Sequence, residues 1–302
     1  MKSILFSTAA SLALVGAAMA EVPSVAADIP PIYALVAKVM EGVGTPNLIV
    51  RPGASPHAYA LRPSEAAALQ NADIVFWVSE GLTPWLEGSI HALANDVTAV
   101  ELLETEGTLE LAFREGATFE SHDHEEEGHD DHGHDPHAWL DPENARVWLD
   151  VIATNLATLD PENAGAYAAN AAKGRAELAA LITEIDSDLN AFRGKNYIVF
   201  HDAYQYFENR FDIAAVGAIT LGDATAPSPA RIAEIRDTVV ELGVVCAFTE
   251  PQFNPGLLRS VFEGTGAVTG VLDPLGADLE VGPDLYTDLI KNLASNLGDC
   301  LK

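Results

Sequence analysis

From Pro161 to Gly194 the chain runs without a further proline and is rich in Ala and Glu. Asp160 precedes this run as an N-cap residue, Pro161 suits the first helical position, and Gly194 suits the end. The pattern predicts one helix of about 33 residues, roughly 50 Å long. That is too long for an ordinary crossover between neighbouring strands, and Gly174 is its one weak point. A rod of this length makes the flanking segments two separate lobes held on a rigid strut. Asp141-Pro142 opens the preceding helix by the same device.

Both flanks alternate strand-like and helical patterns. On the N-terminal side, strands are expected at 48–50, 74–78 and 97–100, with helices at 63–71 and 84–95. On the C-terminal side, strands are expected at 197–200, 212–218, 244–249 and 268–272. Helices are expected there at 202–210, 231–242, 254–264 and 286–297. The five-residue apolar run at 74–78 is typical of a strand covered on both faces. The alternation predicts an α/β fold with mainly parallel sheets. The lobes are placed at 21–159 and 194–302, with the connecting helix at 160–193.

The N-terminus indicates the compartment. Lys2 supplies one positive charge, residues 4–18 are apolar, and Ala18-Met19-Ala20 is an A-x-A cleavage pattern. Residues 1–20 are expected to be a secretory signal peptide cleaved after Ala20, leaving a periplasmic chain. The next residue is Glu21, so the signal supplies no cysteine for a lipid anchor. No other run reaches membrane-spanning length, so direct membrane insertion is not expected. Cys246 and Cys300 form an even pair in an exported chain, which points to a disulfide, with two free thiols as the alternative.

Of the 302 residues, 48% are apolar and 20% charged, which excludes global disorder. The formal net charge of −29 repels nucleic acid and anionic lipid and favours metal cations or basic protein surfaces. The acids concentrate at 115–135, where nine of them interleave with His122, His124, His129, His132 and His134. This segment is expected to be a disordered loop that holds metal weakly, the alternative being a solvated insertion.

Four histidines lie outside that loop. His91 sits on a helical pattern and suits a surface or packing role. His57 follows the strand at 48–50 through a Pro-Gly turn, and His201 directly follows the strand at 197–200. His137 stands between the acidic loop and a capped helix. Asp273 directly follows the strand at 268–272. Ligands of open parallel sheets bind outside the carboxyl ends of the strands, which is where His57, His201 and Asp273 fall. Three imidazoles and one carboxylate make a plausible four-coordinate Zn²⁺ site. The spacing alone leaves each histidine free to be an ordinary hydrogen-bonding residue.

Several segments together resemble one family. They are Gly53-Ala54-Ser55-Pro56-His57-Ala58-Tyr59, Leu61-Arg62-Pro63-Ser64, residues 72–78, and His137-Ala138-Trp139-Leu140-Asp141-Pro142. They continue with residues 200–207, Glu250-Pro251-Gln252-Phe253 and Leu272-Asp273-Pro274-Leu275-Gly276. The chain resembles the ZnuA family, the periplasmic zinc-binding components of bacterial zinc ABC transporters. The resemblance spans essentially the whole mature chain, the acidic His insertion and the cysteine pair included.

It implies two α/β lobes bridged by a long helix and a metal cleft between them. It also implies a monomer that delivers zinc to a membrane permease. His57, His137 and His201 are implied as ligands, with His201 influencing metal choice. Some zinc-binding members carry an acid immediately before the first histidine. Here that residue is Pro56, so Asp273 is the expected fourth ligand, with water as the alternative. Asp202, Glu250 and Asp141 are candidate hydrogen-bond partners for the ligands. Trp139, Tyr204, Tyr206 and Phe207 could dry the cleft or be ordinary packing.

Two other classes compete with this reading. An exported zinc hydrolase needs an open coordination position and a general base. The chain has neither an H-E-x-x-H nor a G-x-S-x-G pattern. A metal-binding adhesin is the other.

Overall fold

The computed structural model of the protein describes residues 22–94, 97–114, 119, 133–220, 228–252, 262 and 264–302. The signal peptide, most of the acidic loop (His122, His124, His129 and His132 included) and most of the expected helix at 254–264 lie outside these residues. No helix among the described residues is long and apolar enough to cross a membrane.

The N-terminal lobe contains β1 (Val25–Ala27), α1 (Pro30–Val39), β2 (Asn47–Leu48), α2 (Pro63–Gln70), β3 (Ile74–Trp77), α3 (Pro84–Leu93) and β4 (Thr98–Glu101). Its sheet is parallel, in the order β2-β1-β3-β4. A helical hairpin follows, α4 (Pro142–Leu159) and α5 (Ala164–Leu189). The C-terminal lobe contains β5 (Tyr197–His201), α6 (Gln205–Phe211), β6 (Gly217–Thr220), α7 (Pro229–Glu241), β7 (Cys246–Thr249), β8 (Val268–Val271) and α8 (Leu285–Leu301). This second sheet is also parallel, in the order β6-β5-β7-β8. Helices α1, α2, α3, α4 and α7 all begin on proline, whose missing N–H costs nothing in the first turn.

The central helix is shorter than its sequence pattern suggests. It spans 26 residues, about 39 Å at helical rise, and ends in a 3₁₀ turn at Asn190–Phe192. Asp160 does not cap it. The backbone N–H of Asp160 instead closes α4 on Leu156. Its carboxylate takes the Asn163 amide at 2.7 Å and the Tyr167 hydroxyl at 2.8 Å. Residues 160–163 therefore form the bend of an antiparallel helical hairpin, the arrangement short connections favour.

Nor is Gly174 a weak point. A Cβ there would lie 2.9 Å from Leu149 Cδ1 and 3.3 Å from Lys38 Cγ, so glycine permits close packing of α5 on α4 and α1. The expected strand at 212–218 also begins late, at Gly217. Asp212 adopts φ 52° as the C-cap of α6, so the chain is still turning there.

The two lobes share one apolar core. It runs from Val25 and Phe76 through Ile32, Trp148, Tyr167 and Leu178 to Tyr197, Phe248, Tyr286 and Leu293. Nine of the ten α1 residues are buried, and α1 packs against α4, α5 and α8. Lys38 of α1 pairs with Asp284 at 2.9 Å and Glu177 at 3.1 Å, joining the first lobe, the central helix and the second lobe. Burial of this scale holds the lobes on a common scaffold. The Cys246–Cys300 disulfide ties β7 to α8 with Cα atoms 5.9 Å apart, and no free cysteine remains.

Candidate metal centre

Arg51-Pro52-Gly53-Ala54 forms a turn after β2, with Gly53 at φ +77°, a region open to glycine without strain. The turn carries the chain to His57. Trp85 of α3 donates from Nε1 to the Pro56 carbonyl at 2.7 Å, and the Tyr59 and Trp85 rings touch. Arg51, Tyr59 and Glu65 form a further bonded group around this loop. His137 directly precedes the 3₁₀ turn Ala138–Leu140 that leads into α4. His201 is the last residue of β5.

These elements bring three imidazoles together. One ligand-capable nitrogen from each of His57, His137 and His201 lies within 4.8 Å of the other two. His137 Nε2 and His201 Nε2 are 3.4 Å apart. Ring centroids of His57 and His137 are 5.6 Å apart, and those of His137 and His201 are 5.2 Å apart. His137 and His201 are buried and His57 is partly exposed. They line a cavity of ≈ 20 Å³ with Trp139, Glu250, Gln252, Pro274 and others. That is room for an ion or a water.

Two carboxylates set the direction of the rings. Asp135 Oδ1 is 2.7 Å from His137 Nδ1, and Glu250 Oε1 is 2.6 Å from His201 Nδ1. An ionised carboxylate only accepts, so each Nδ1 carries the proton and each Nε2 presents its lone pair to the shared point. This is the arrangement metal-bound histidines use, with the acceptor also raising ligand basicity. Burial pushes Asp135 up to about 7 and also raises Glu250, whose pairing with His201 opposes the effect. A divalent cation between the rings works against both shifts. With its amide in the orientation its acceptor neighbours require, Gln205 of α6 donates to Asp135 Oδ2 at 3.0 Å, and Tyr206 holds the Asp135 backbone by donating to its main-chain carbonyl at 2.8 Å.

The remaining expected residues fall elsewhere. Asp273 lies outside the three-histidine group. Its carboxylate accepts from the backbone N–H groups of Leu275, Gly276 and Ala277 and from the Gln252 amide. Asp141 caps α4 and pairs with Arg210. Asp202 pairs with Arg114, which also holds Glu208. Of the candidate partners, Glu250 meets a ligand, His201. His134 pairs with Glu110 at 2.7 Å and is half exposed. His91 is exposed, 3.8 Å from Glu87. Trp139 lines the cavity and is buried, as are Tyr204, Tyr206 and Phe207.

Asp135 and Gln252 are absent from the sequence-based site. Asp135 ends an acidic run and reads there as one more solvated charge. Its position two residues before His137 in a Pro-containing turn was the available signal.

The donor set fits a borderline cation. Three neutral imidazoles without a thiolate suit Zn²⁺, whereas Mg²⁺, Ca²⁺ and Mn²⁺ favour oxygen-rich shells. Two parallel α/β lobes on a helical hairpin, with anchored imidazoles meeting between them, define a two-lobed metal-binding solute-binding protein.

The model of the family "ZnuA: Zinc-uptake complex component A periplasmic" matches residues 25–300. The chain is 44% identical to the high-affinity zinc uptake system protein ZnuA of Brucella abortus, covering 92% of this chain and 91% of that protein. It is 42% identical to the protein of that name from Paracoccus denitrificans, covering 94% and 93%. A crystal structure of ZnuA superposes with a TM-score of 0.77 at 25% identity, covering 93% of this chain and 100% of that one. The chain belongs to the ZnuA family.

Proposed function

We propose that this protein is exported, with its signal peptide removed after Ala20, and captures Zn²⁺ in the periplasm. It then hands the ion to the membrane permease of an ABC-type zinc transporter. His57, His137 and His201 are the ligands, and the protein acts as a monomer with lobes at 21–159 and 194–302. The observation that carries this reading is the meeting of three imidazoles, two of them held by carboxylates on the nitrogen away from the shared point. Residues 115–135 act as an auxiliary, weaker metal-holding segment beside the cleft. Tethering raises the local zinc concentration there.

The protein carries out no bond chemistry on this reading. Asp135 and Glu250, the carboxylates beside the imidazoles, are engaged in orienting them. A hydrolytic zinc site would need one placed as a general base toward a bound water.

Metal analysis of untagged protein, followed by chelator-competition titration with Zn²⁺ and Mn²⁺, tests the proposal. One tightly held Zn²⁺ per chain, strongly preferred over Mn²⁺, is expected. Equal binding of the two metals, or turnover of ester substrates by the zinc-loaded protein, would contradict it.

A further inference from the structure

A buried polar atom lining the cavity of the imidazoles has no hydrogen-bond partner among the described residues. Gln252 stands on the segment leaving β7, two residues beyond Glu250, and lines the same cavity as His57, His137 and His201. Its amide nitrogen is 3.3 Å from Asp273 Oδ1. That carboxylate also receives three backbone N–H groups, from Leu275, Gly276 and Ala277, at 3.0, 3.1 and 2.5 Å. A carboxylate so placed can only accept, so the amide NH₂ must face it and the carbonyl oxygen must turn the other way. That oxygen, Gln252 Oε1, is buried and has no hydrogen-bond partner among the described residues. Leaving such an acceptor unmatched costs about 1–3 kcal/mol, and few folded proteins tolerate many.

We propose that Gln252 Oε1 accepts a hydrogen bond from the water that completes the coordination shell of the bound Zn²⁺. Asp273 then serves the site by holding this amide rather than by ligation. The inference rests on the three-histidine reading above. Three imidazole nitrogens leave one place in a tetrahedral shell. Water in that place is a strengthened donor, because the cation draws charge from it. Around it, Asp135 and Glu250 are engaged by the imidazoles, while Trp139, Pro274 and Leu275 present largely apolar surface. Ser55 also lines the cavity, and Gln252 Oε1 is the buried acceptor there that has no hydrogen-bond partner among the described residues.

The choice of an amide has a chemical consequence. A carboxylate at this point could take the water's proton and leave a bound hydroxide, which is the nucleophile of a zinc hydrolase. An amide holds the water without deprotonating it. The fourth place is thereby filled by a neutral, exchangeable ligand, which suits a site that must later give up its ion.

The test uses the mature full-length protein with Zn²⁺ and, as a spectroscopic probe, Co²⁺. Gln252→Met keeps the side-chain length and removes the acceptor. It is expected to weaken Zn²⁺ binding 10- to 100-fold, the range lost when groups supporting a metal ligand are removed, with faster release. Asp273→Asn is expected to weaken binding in the parent but to add nothing in the Gln252→Met background, because both act through one amide. Gln252→Glu places a carboxylate at the same point and is expected to change the visible spectrum of the Co²⁺ form.

Zn²⁺ affinity within twofold of the parent in Gln252→Met would overturn the inference. So would full additivity with Asp273→Asn, or an unchanged Co²⁺ spectrum in Gln252→Glu. His201→Ala, measured alongside, separates the two levels. If it loses zinc while Gln252→Met does not, only the role of Gln252 fails. If His201→Ala binds like the parent, the three-histidine site itself is wrong.

Discussion

Replacing Glu250 with Gln changes one charge and almost no volume. Glu250 and His201 are both buried, and their contact is 2.6 Å long. A hydrogen bond to a charged group contributes about 1.5–3 kcal/mol, roughly twice a neutral one. Glutamine can still accept from Nδ1 through its amide oxygen, so the tautomer is kept and about half of that contribution is lost. A loss of about 0.75–1.5 kcal/mol corresponds to a roughly 3.5- to 12-fold rise in Kd. Glu250→Leu removes the acceptor altogether, and the loss is expected to reach 10- to 100-fold.

The assay is chelator competition at pH 7.5 with stopped-flow release, after thermal melting has shown each variant folded. Most of the change should fall in the release rate, since affinity differences within one site are mainly differences in departure. Unchanged zinc affinity in both variants would refute the idea that Glu250 supports His201 as a ligand. A larger loss in Gln than in Leu would refute it too.

Three further outcomes are expected. Replacing both Cys246 and Cys300 with Ala should lower the stability of the apo protein by about 4 kcal/mol, from loop closure over the 54-residue separation, read as a denaturant midpoint. Asp28 is fully buried, and burial raises it to about 7 despite backbone N–H groups from Ile29 and Val78. A carboxyl raised on folding contributes stability that is complete below pH 4 and lost as pH rises through about 7. Apo stability should therefore fall between about pH 4 and 7, and the fall should be shallower in Asp28→Ser; equal slopes would contradict the assignment. Deleting residues 118–134 should leave one tight zinc site and remove the weaker ones, read as stoichiometry in a zinc titration. Loss of the tight site would place a primary ligand in that segment.

The parts of the fold legible in the sequence are those with a local physical cause. The strand at Ile74–Trp77 shows as an apolar run because both faces of its sheet are covered. Helix starts at Pro63, Pro84 and Pro142 show because proline belongs in a first turn. Helix α1 is far less legible, because with nine of ten residues buried it has no polar stripe to reveal a helical period. The start of α5 is hidden in the sequence because Asp160-Pro161 looks like a helix opening, while the competing bonds from Asn163 and Tyr167 depend on the hairpin.

At the site, His57 and His201 could be placed from strand ends. Their meeting with His137 depends on how two lobes pack and leaves no mark in spacing, whereas Asp135 stands two residues before His137 and is masked by the acidic run it ends. Asp273 shows the reverse. Its position after β8 shows in the sequence, while the three N–H groups that the following turn offers its carboxylate are not revealed by a local pattern.

The most direct test is a crystal structure of the zinc-loaded protein with anomalous data collected on both sides of the zinc edge. A single strong peak is expected at about 2.0–2.1 Å from Nε2 of His137, Nε2 of His201 and a ring nitrogen of His57. A peak bound through Nδ1 of His137 or His201, or a primary zinc site away from these three residues, would contradict the assignment.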